Sequence, residues 1–284
     1  GLIKKDFNKL DINFNEDDTI HELLIKHLNI LNKLIEPIKR HVHVSKKINN
    51  KDIDKNIKKI MDEIIKKFEK GINVNPHLSK RIFIPDFNDH LLDDWGIYHL
   101  HLSNQKKRES DYFYNRADYL LFVLVEERNV YFIDVLKHKL DYVFSKQEML
   151  SIINNNWPNL IDGKQINGVS ELSQQPTDKE INEFRKSGVN VLSDVGGNVL
   201  APLGGGLTTA GTNIKHTMNA DVILDKINKW EKTINVNMNT IRKKVSKKVN
   251  KMPENIDFKL DINQRGIMII KEVNTGIIIN IQET

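Results

Sequence analysis

The sequence contains no cysteine. That excludes disulfides, thiolate metal sites and a cysteine nucleophile, and it fits a reducing compartment. No apolar run approaches the ~20 residues that a membrane-spanning helix needs, and the opening GLIKKDFNKLDINFNEDD lacks the apolar core of a secretory signal. The expectation is a cytoplasmic protein with no membrane partner. Neither sign of charge dominates: the formal net charge is +5, which permits contact with phosphates without demanding it. No repeat of solenoid length is present.

What is present is enough to fold. The 284 residues are 39% apolar and 29% charged, sufficient for a core without staples and for two domains, or one with large additions. From Asp18 or Thr19, residues Ile20, Leu23, Leu24, Leu28, Leu31, Leu34 and Ile35 recur at helical steps until Pro37. A second helix is expected from about Asp52 to Lys70, stopped by Gly71. Two amphipathic helices joined by a polar connector predict a helical hairpin.

A connector with two prolines follows, and then the pattern changes period. GIYHLHLS alternates, DYLLFVLVEE is almost wholly apolar, and NVYFIDVLKH follows a short turn. An apolar middle strand implies cover on both faces of the sheet. SKQEMLSIINNNWP reads as a helix capped by Ser145, with Glu148 at the capping-box position. Residues 161–190 are polar apart from a short helix between Thr177 and Ser187. Beyond them come two short strands around Gly196-Gly197, the loop LGGGLTTAGTN, a helix from Ile214, a basic helical stretch, and a three-stranded meander. The meander is expected to turn near 263–266 and 274–276.

Strand periodicity places His99 and His101 on one face with Ile97, while Tyr98, Leu100 and Leu102 take the other. Asp134 and His138 share a face by the same rule, with Phe132 before them. Arg116 and Asp118 enter just ahead of the middle strand, and Lys137 precedes His138. Histidine, arginine, lysine and aspartate together supply the parts for metal-free RNA cleavage. A base takes the 2′-hydroxyl proton, cations neutralise the phosphorane, and an acid protonates the leaving 5′-oxygen. Histidine suits either proton-transfer role because it titrates near neutrality.

A helix pair followed by WGIYHLHL and DYLLFVLVEERNVYFIDVLKH resembles the RelE-like bacterial ribonuclease toxins of the YafQ and HigB branch, over residues 50–145 or so. The resemblance implies RNA cleavage without a cofactor, catalysis by His99 or His101, Asp118 and His138, and a neutralising antitoxin protein as partner. Leu136-Lys137 stand where the family has Gly-Thr, and the loop from Ser103 to Asn115 is long. The wider pattern from DWGIYHLHL to GGGLTTAGT is also similar to that of a broader bacterial group, which implies no mechanism.

The resulting expectation is an α+β chain. It has a helical hairpin and connector over 1–80, a RelE-like antiparallel sheet with a helix over 81–160, and an α+β extension with the meander over 161–284. The expected function is an RNA-cleaving toxin or defence effector using His99, His101, Arg116, Asp118 and His138. RNA would be retained by Lys137, Arg242, Lys243, Lys244, Lys247, Lys248 and Lys251.

Two alternatives stand beside it. One is a non-enzymatic module that binds nucleic acid or protein. The other is a metal-dependent hydrolase whose ligands are His99, His101, Asp134 and His138. The glycine-rich loop matches neither dinucleotide nor P-loop spacing. It is read either as a flexible lead into a helix capped by Thr212 or Asn213, or as an anion nest in which Thr208, Thr209 and Thr212 touch phosphate.

Overall fold

The structure, a computed structural model, describes residues 2–169, 171–249, 257–262 and 268–280. It is a mixed α+β fold whose compact units are residues 1–220 and 221–284. The expected divisions near residues 80 and 160 are therefore not where the chain separates. Residues 161–220 pack with the first unit, because Ile181, Val191, Val195, Leu200 and Leu203 are buried in the same core as Leu91, Trp95 and Phe122.

The first unit opens with α1 (Leu2–Lys9) and α2 (Ile20–Lys33). Thr19 caps α2 in a reciprocal capping box with Glu22. The expected helical hairpin is not formed. Between α2 and the next long helix, the chain makes strand β1 (His41–Val44) and a short helix α3 (Lys46–Asn49). HVHV alternates, so Val42 and Val44 pack inward although two histidines make the segment look polar. The second long helix, α4 (Lys55–Lys70), ends at Gly71 in the left-handed conformation. It packs through Met61, Ile64 and Phe68 onto the sheet, whereas α2 packs with α1 around Phe7 and Ile12.

After α5 (His90–Trp95), strands β2 (Ile97–His101), β3 (Tyr119–Val125) and β4 (Asn129–Lys137) form an antiparallel meander. β1 adds to β4 in parallel, giving the order β1-β4-β3-β2. Leu120, Leu121, Phe122 and Val123 are all fully buried, since one face meets α4 and the other meets α5, α6 (Glu148–Asn156) and α7 (Asp178–Lys186). The cap on α6 differs from expectation: Gln147 is the N-cap, and Ser145 donates back to the Tyr142 carbonyl in a preceding turn. A hairpin of β5 (Ser193–Val195) and β6 (Asn198–Leu200) then leads to the glycine-rich loop.

Helix α8 (Ile214–Val236) runs from the first unit into the second. The second unit continues with α9 (Met238–Ser246) and an antiparallel meander of β7 (Phe258–Ile262), β8 (Met268–Glu272) and β9 (Ile278–Asn280). Its core holds Ile234, Ile241, Val245 and Ile270. Twelve Lys and Arg stand against eight Asp and Glu in 221–284, so +4 of the net +5 belongs to this unit. Arg242, Lys243, Lys247 and Lys248 lie on the exposed side of the α9 segment, as a narrow Ile241–Val245 stripe requires. Lys251 and the expected turn at 263–266 lie outside the described residues. Among the described residues, no helix is long and apolar enough to cross a membrane.

Candidate active site

β2 is an edge strand, so one row of its backbone groups is left without a strand partner. Its alternation works as the sequence implies. Leu100 and Leu102 enter the α4 side, while His99 and His101 stand on the opposite face with Ile97. β4 ends at Lys137, and His138 turns back so that its backbone N–H donates to the Asp118 carbonyl at 2.7 Å. That turn brings His138 over His101, with ring centroids 5.7 Å apart and planes at 25°. His99 meets His101 edge-on at 6.3 Å. Phe144 closes the group, 4.9 Å from the His99 ring and 6.1 Å from the His138 ring.

These three histidines line a cleft of about 660 Å³ with Arg116, Asp89 and Arg81 among its other walls. Asp89 was not foreseen as a site residue. It caps α5, accepting the Leu92 N–H through one carboxylate oxygen at 3.3 Å, while its other oxygen lies 3.5 Å from His99 Nδ1. The signal that marks it is a helix-start signal, an Asp ahead of HLLDDW; its second partner depends on the sheet.

Backbone contacts fix the proton positions on two rings. His101 is 5% exposed, and its Nδ1 accepts the Ala117 N–H at 3.3 Å, which places the ring proton on Nε2. Burial first, then the neighbouring His99, His138 and Arg116, push its pKa down to about 4. Behind the strand, His77 Nδ1–H donates to the His101 carbonyl at 3.1 Å, and its Nε2 receives Lys67 Nζ at 2.8 Å. Burial and the adjacent Lys67 hold His77 at about 4 as well. His138 is lowered by burial, Arg116 and His99, with Asp118 opposing.

A second polar layer holds the opposite wall. Arg185 is buried, binds Asp94 through two nitrogens at 2.8 and 2.7 Å, and stacks 4.1 Å from the Trp95 ring. It also donates to the Phe144 carbonyl, which ties α7 to the aromatic side chain against His99 and His138.

The chain matches no family model, no curated protein and no solved structure. Geometry therefore carries the assignment of the site.

Of the expected residues, His99, His101, His138 and Arg116 converge. Asp118 is not among the residues lining the cleft: it is exposed, it accepts the His138 N–H through its backbone carbonyl, and its carboxylate acts on His138 as a neighbouring charge. Lys137 is exposed at the strand end. The metal set of His99, His101, Asp134 and His138 does not form. A bulge after Phe132 places Asp134 opposite Phe122, which itself pairs with His99. Asp134 is thus two strands, about 10 Å, from His99, and it is ion-paired with Lys51 at 2.8 Å. The same bulge puts Phe132 on the other face. Among the described residues, no group of three or more His, Asp and Glu is arranged around a metal position.

The glycine-rich loop is not an anion nest. The N–H groups of Gly204, Gly205, Gly206, Thr208 and Gly211 are bonded to protein carbonyls, among them Asp94 and Asp93 at the end of α5. Asn213 opens α8, its Oδ1 accepting the Lys215 N–H. Thr208 and Thr212 line a separate cleft, and Thr209 is exposed.

Proposed function

We propose that this chain cleaves RNA by metal-independent attack of the ribose 2′-hydroxyl. The carrying observation is the convergence of His99, His101, His138 and Arg116 on one cleft, with Asp89 beside His99. His138, kept neutral by burial and Arg116, is the base that takes the 2′-hydroxyl proton. The 2′-oxygen then bonds to phosphorus and the bond to the 5′-oxygen breaks, leaving a 2′,3′-cyclic phosphate and a free 5′-hydroxyl. Arg116 and the Nε2–H of His101 face the charge that develops on the phosphoryl oxygens. His99 donates the proton to the leaving 5′-oxygen, with the Asp89 carboxylate 3.5 Å from its Nδ1. The exposed lysines and arginine of α9 and Lys137 hold the backbone by counterion release. As a toxin or defence effector, the enzyme would have a neutralising protein partner.

Mixed RNA incubated with the purified chain in EDTA tests this. Fragments bearing cyclic-phosphate or 3′-phosphate ends are expected, and they should vanish with His138→Ala. Intact RNA with folded protein overturns the reading. The near-complete burial of His101 favours one alternative, a binding module in which these rings are structural. RNA binding that survives His138→Ala, with no product from either protein, selects that alternative.

A further inference from the structure

Besides the histidine cleft, the first unit holds a second one of about 600 Å³, a size typical of small-molecule sites. Its walls are α2, the segment 85–88 and the loop running into α8. Two buried side chains on those walls, Asn29 at 6% and His216 at 5% exposure, leave Asn29 Oδ1 and His216 Nδ1 without a partner. Buried polar atoms are rarely left so, and a ligand is one way of satisfying them.

The hydrogen-bond directions say what kind of ligand. Thr217 O–H donates to the Asn213 carbonyl at 3.1 Å. Its neighbour Thr212, at 2.9 Å, must therefore donate to Thr217, and Thr208, at 2.8 Å, must donate to Thr212. All three hydroxyl hydrogens are spent, and only oxygen lone pairs remain. Asn29 spends its amide hydrogens on the carbonyls of Pro85 and Phe87, again leaving an acceptor. Glu22 and Asp86 add carboxylates. Lys26 Nζ is already paired with Asp18 at 2.9 Å and Asp86 at 3.3 Å, so an anion finds few donors here, which argues against the phosphate contact expected for Thr208 and Thr212. A cation meets Lys26 on the wall, with Lys33 and Lys215 acting on His216. The complement is a neutral molecule with several donors on one edge.

Asp86 and Asn88 line both clefts, so a strand whose phosphate sits at the histidines has its neighbouring nucleotide beside the second cleft. Among the bases, guanine presents the most donors on one edge, N1–H with the N2 amino group. We propose that the second cleft is a guanine subsite, binding the base next to the scissile phosphate through Asn29 Oδ1 and the threonine oxygens. This rests on the RNA-cleavage reading for the position of the strand, but binding of the base can be read separately.

Equilibrium dialysis of the full chain against guanosine, adenosine, cytidine and uridine tests the subsite, alongside sequencing of RNA ends produced in EDTA. Guanosine is expected to bind about tenfold tighter than the others, the scale of one or two hydrogen bonds. Thr208→Val and Thr212→Val, checked for unchanged melting, should each weaken it about tenfold. Cleavage next to guanine is the matching outcome. Cleavage without guanine bias and without guanosine binding overturns the subsite while leaving the ribonuclease intact. Guanosine binding with RNA left uncut keeps the subsite and removes the cleavage reading.

Discussion

His101 and His138 stack with planes 25° apart and centroids at 5.7 Å, although they come from opposite sides of the intervening strand β3. Two imidazolium rings so placed would repel, and both side chains are in fact pushed toward the neutral form by burial and by Arg116. The pair therefore supplies a base and an N–H donor near neutral pH.

Replacing His138 or His99 by Ala should cut the RNA cleavage rate on the order of 10²–10⁴-fold, the range for loss of a general acid or base. Single-turnover assays measure it. A loss under about threefold for both would remove them from the chemistry.

Asp89→Asn separates two roles of one side chain. Asn still accepts the Leu92 N–H as an N-cap, so stability should change by only a few tenths of a kcal/mol. The charge beside His99 is lost, and the cleavage rate should fall about tenfold or more. Asp89→Ala should add a stability loss of about 1 kcal/mol. Thermal melts alongside rates resolve the two effects.

Acid should destabilise the first unit. His77, His101 and His216 are held at about 4 in the folded chain, against 6.5 for an unperturbed ring. Between those values the unfolded chain binds protons that the folded chain does not. Stability is therefore intact above pH 6.5 and falls as pH drops toward 4, by up to about 3 kcal/mol per histidine. Asp93 acts oppositely: burial raises it to about 6, so it recovers stability as pH falls through 6. Denaturant midpoints should decline below pH 6.5, and less steeply in His77→Gln.

Arg185→Ala should cost about 3–5 kcal/mol, because it leaves the Asp94 carboxylate buried without its cation. Arg185→Ala with Asp94→Asn should recover part of that loss. Calorimetry on the single and double variants measures the coupling.

Gly204→Ala should destabilise the first unit by about 1–3 kcal/mol. A Cβ there would collide with the Leu92 carbonyl oxygen. The loop would have to withdraw from α5, losing the bonds from Gly204 to Asp94 and from Gly206 to Asp93. Gly163→Ala is the contrast, since a Cβ at that position meets nothing within 4 Å; its positive φ of 76° remains a smaller cost.

Elements announced by strong local patterns were legible. Thr19 and Thr177 start helices, Gly71 stops one, and the alternation of GIYHLHLS separates the faces of β2. β1 was missed because HVHV carries only two apolar residues, and its pairing partner lies about 90 residues away at Asn129–Phe132. The strand order that holds Asp134 two strands from His99, and the bulge that turns Phe132 to the other face, have no local signature; they are features of pairing.

By itself the sequence determined which side chains can share a face, because the two-residue period of a strand is a property of the backbone. It therefore set His99 beside His101 on the side away from Leu100. Only the tertiary structure decided which polar residues meet there. Turning His138 onto His101, docking the α5 cap against His99 and sending Asp134 to Lys51 depend on strand order, register and helix docking. Those are fixed by burying both faces of β3 at once, a condition on the whole first unit that no short segment states.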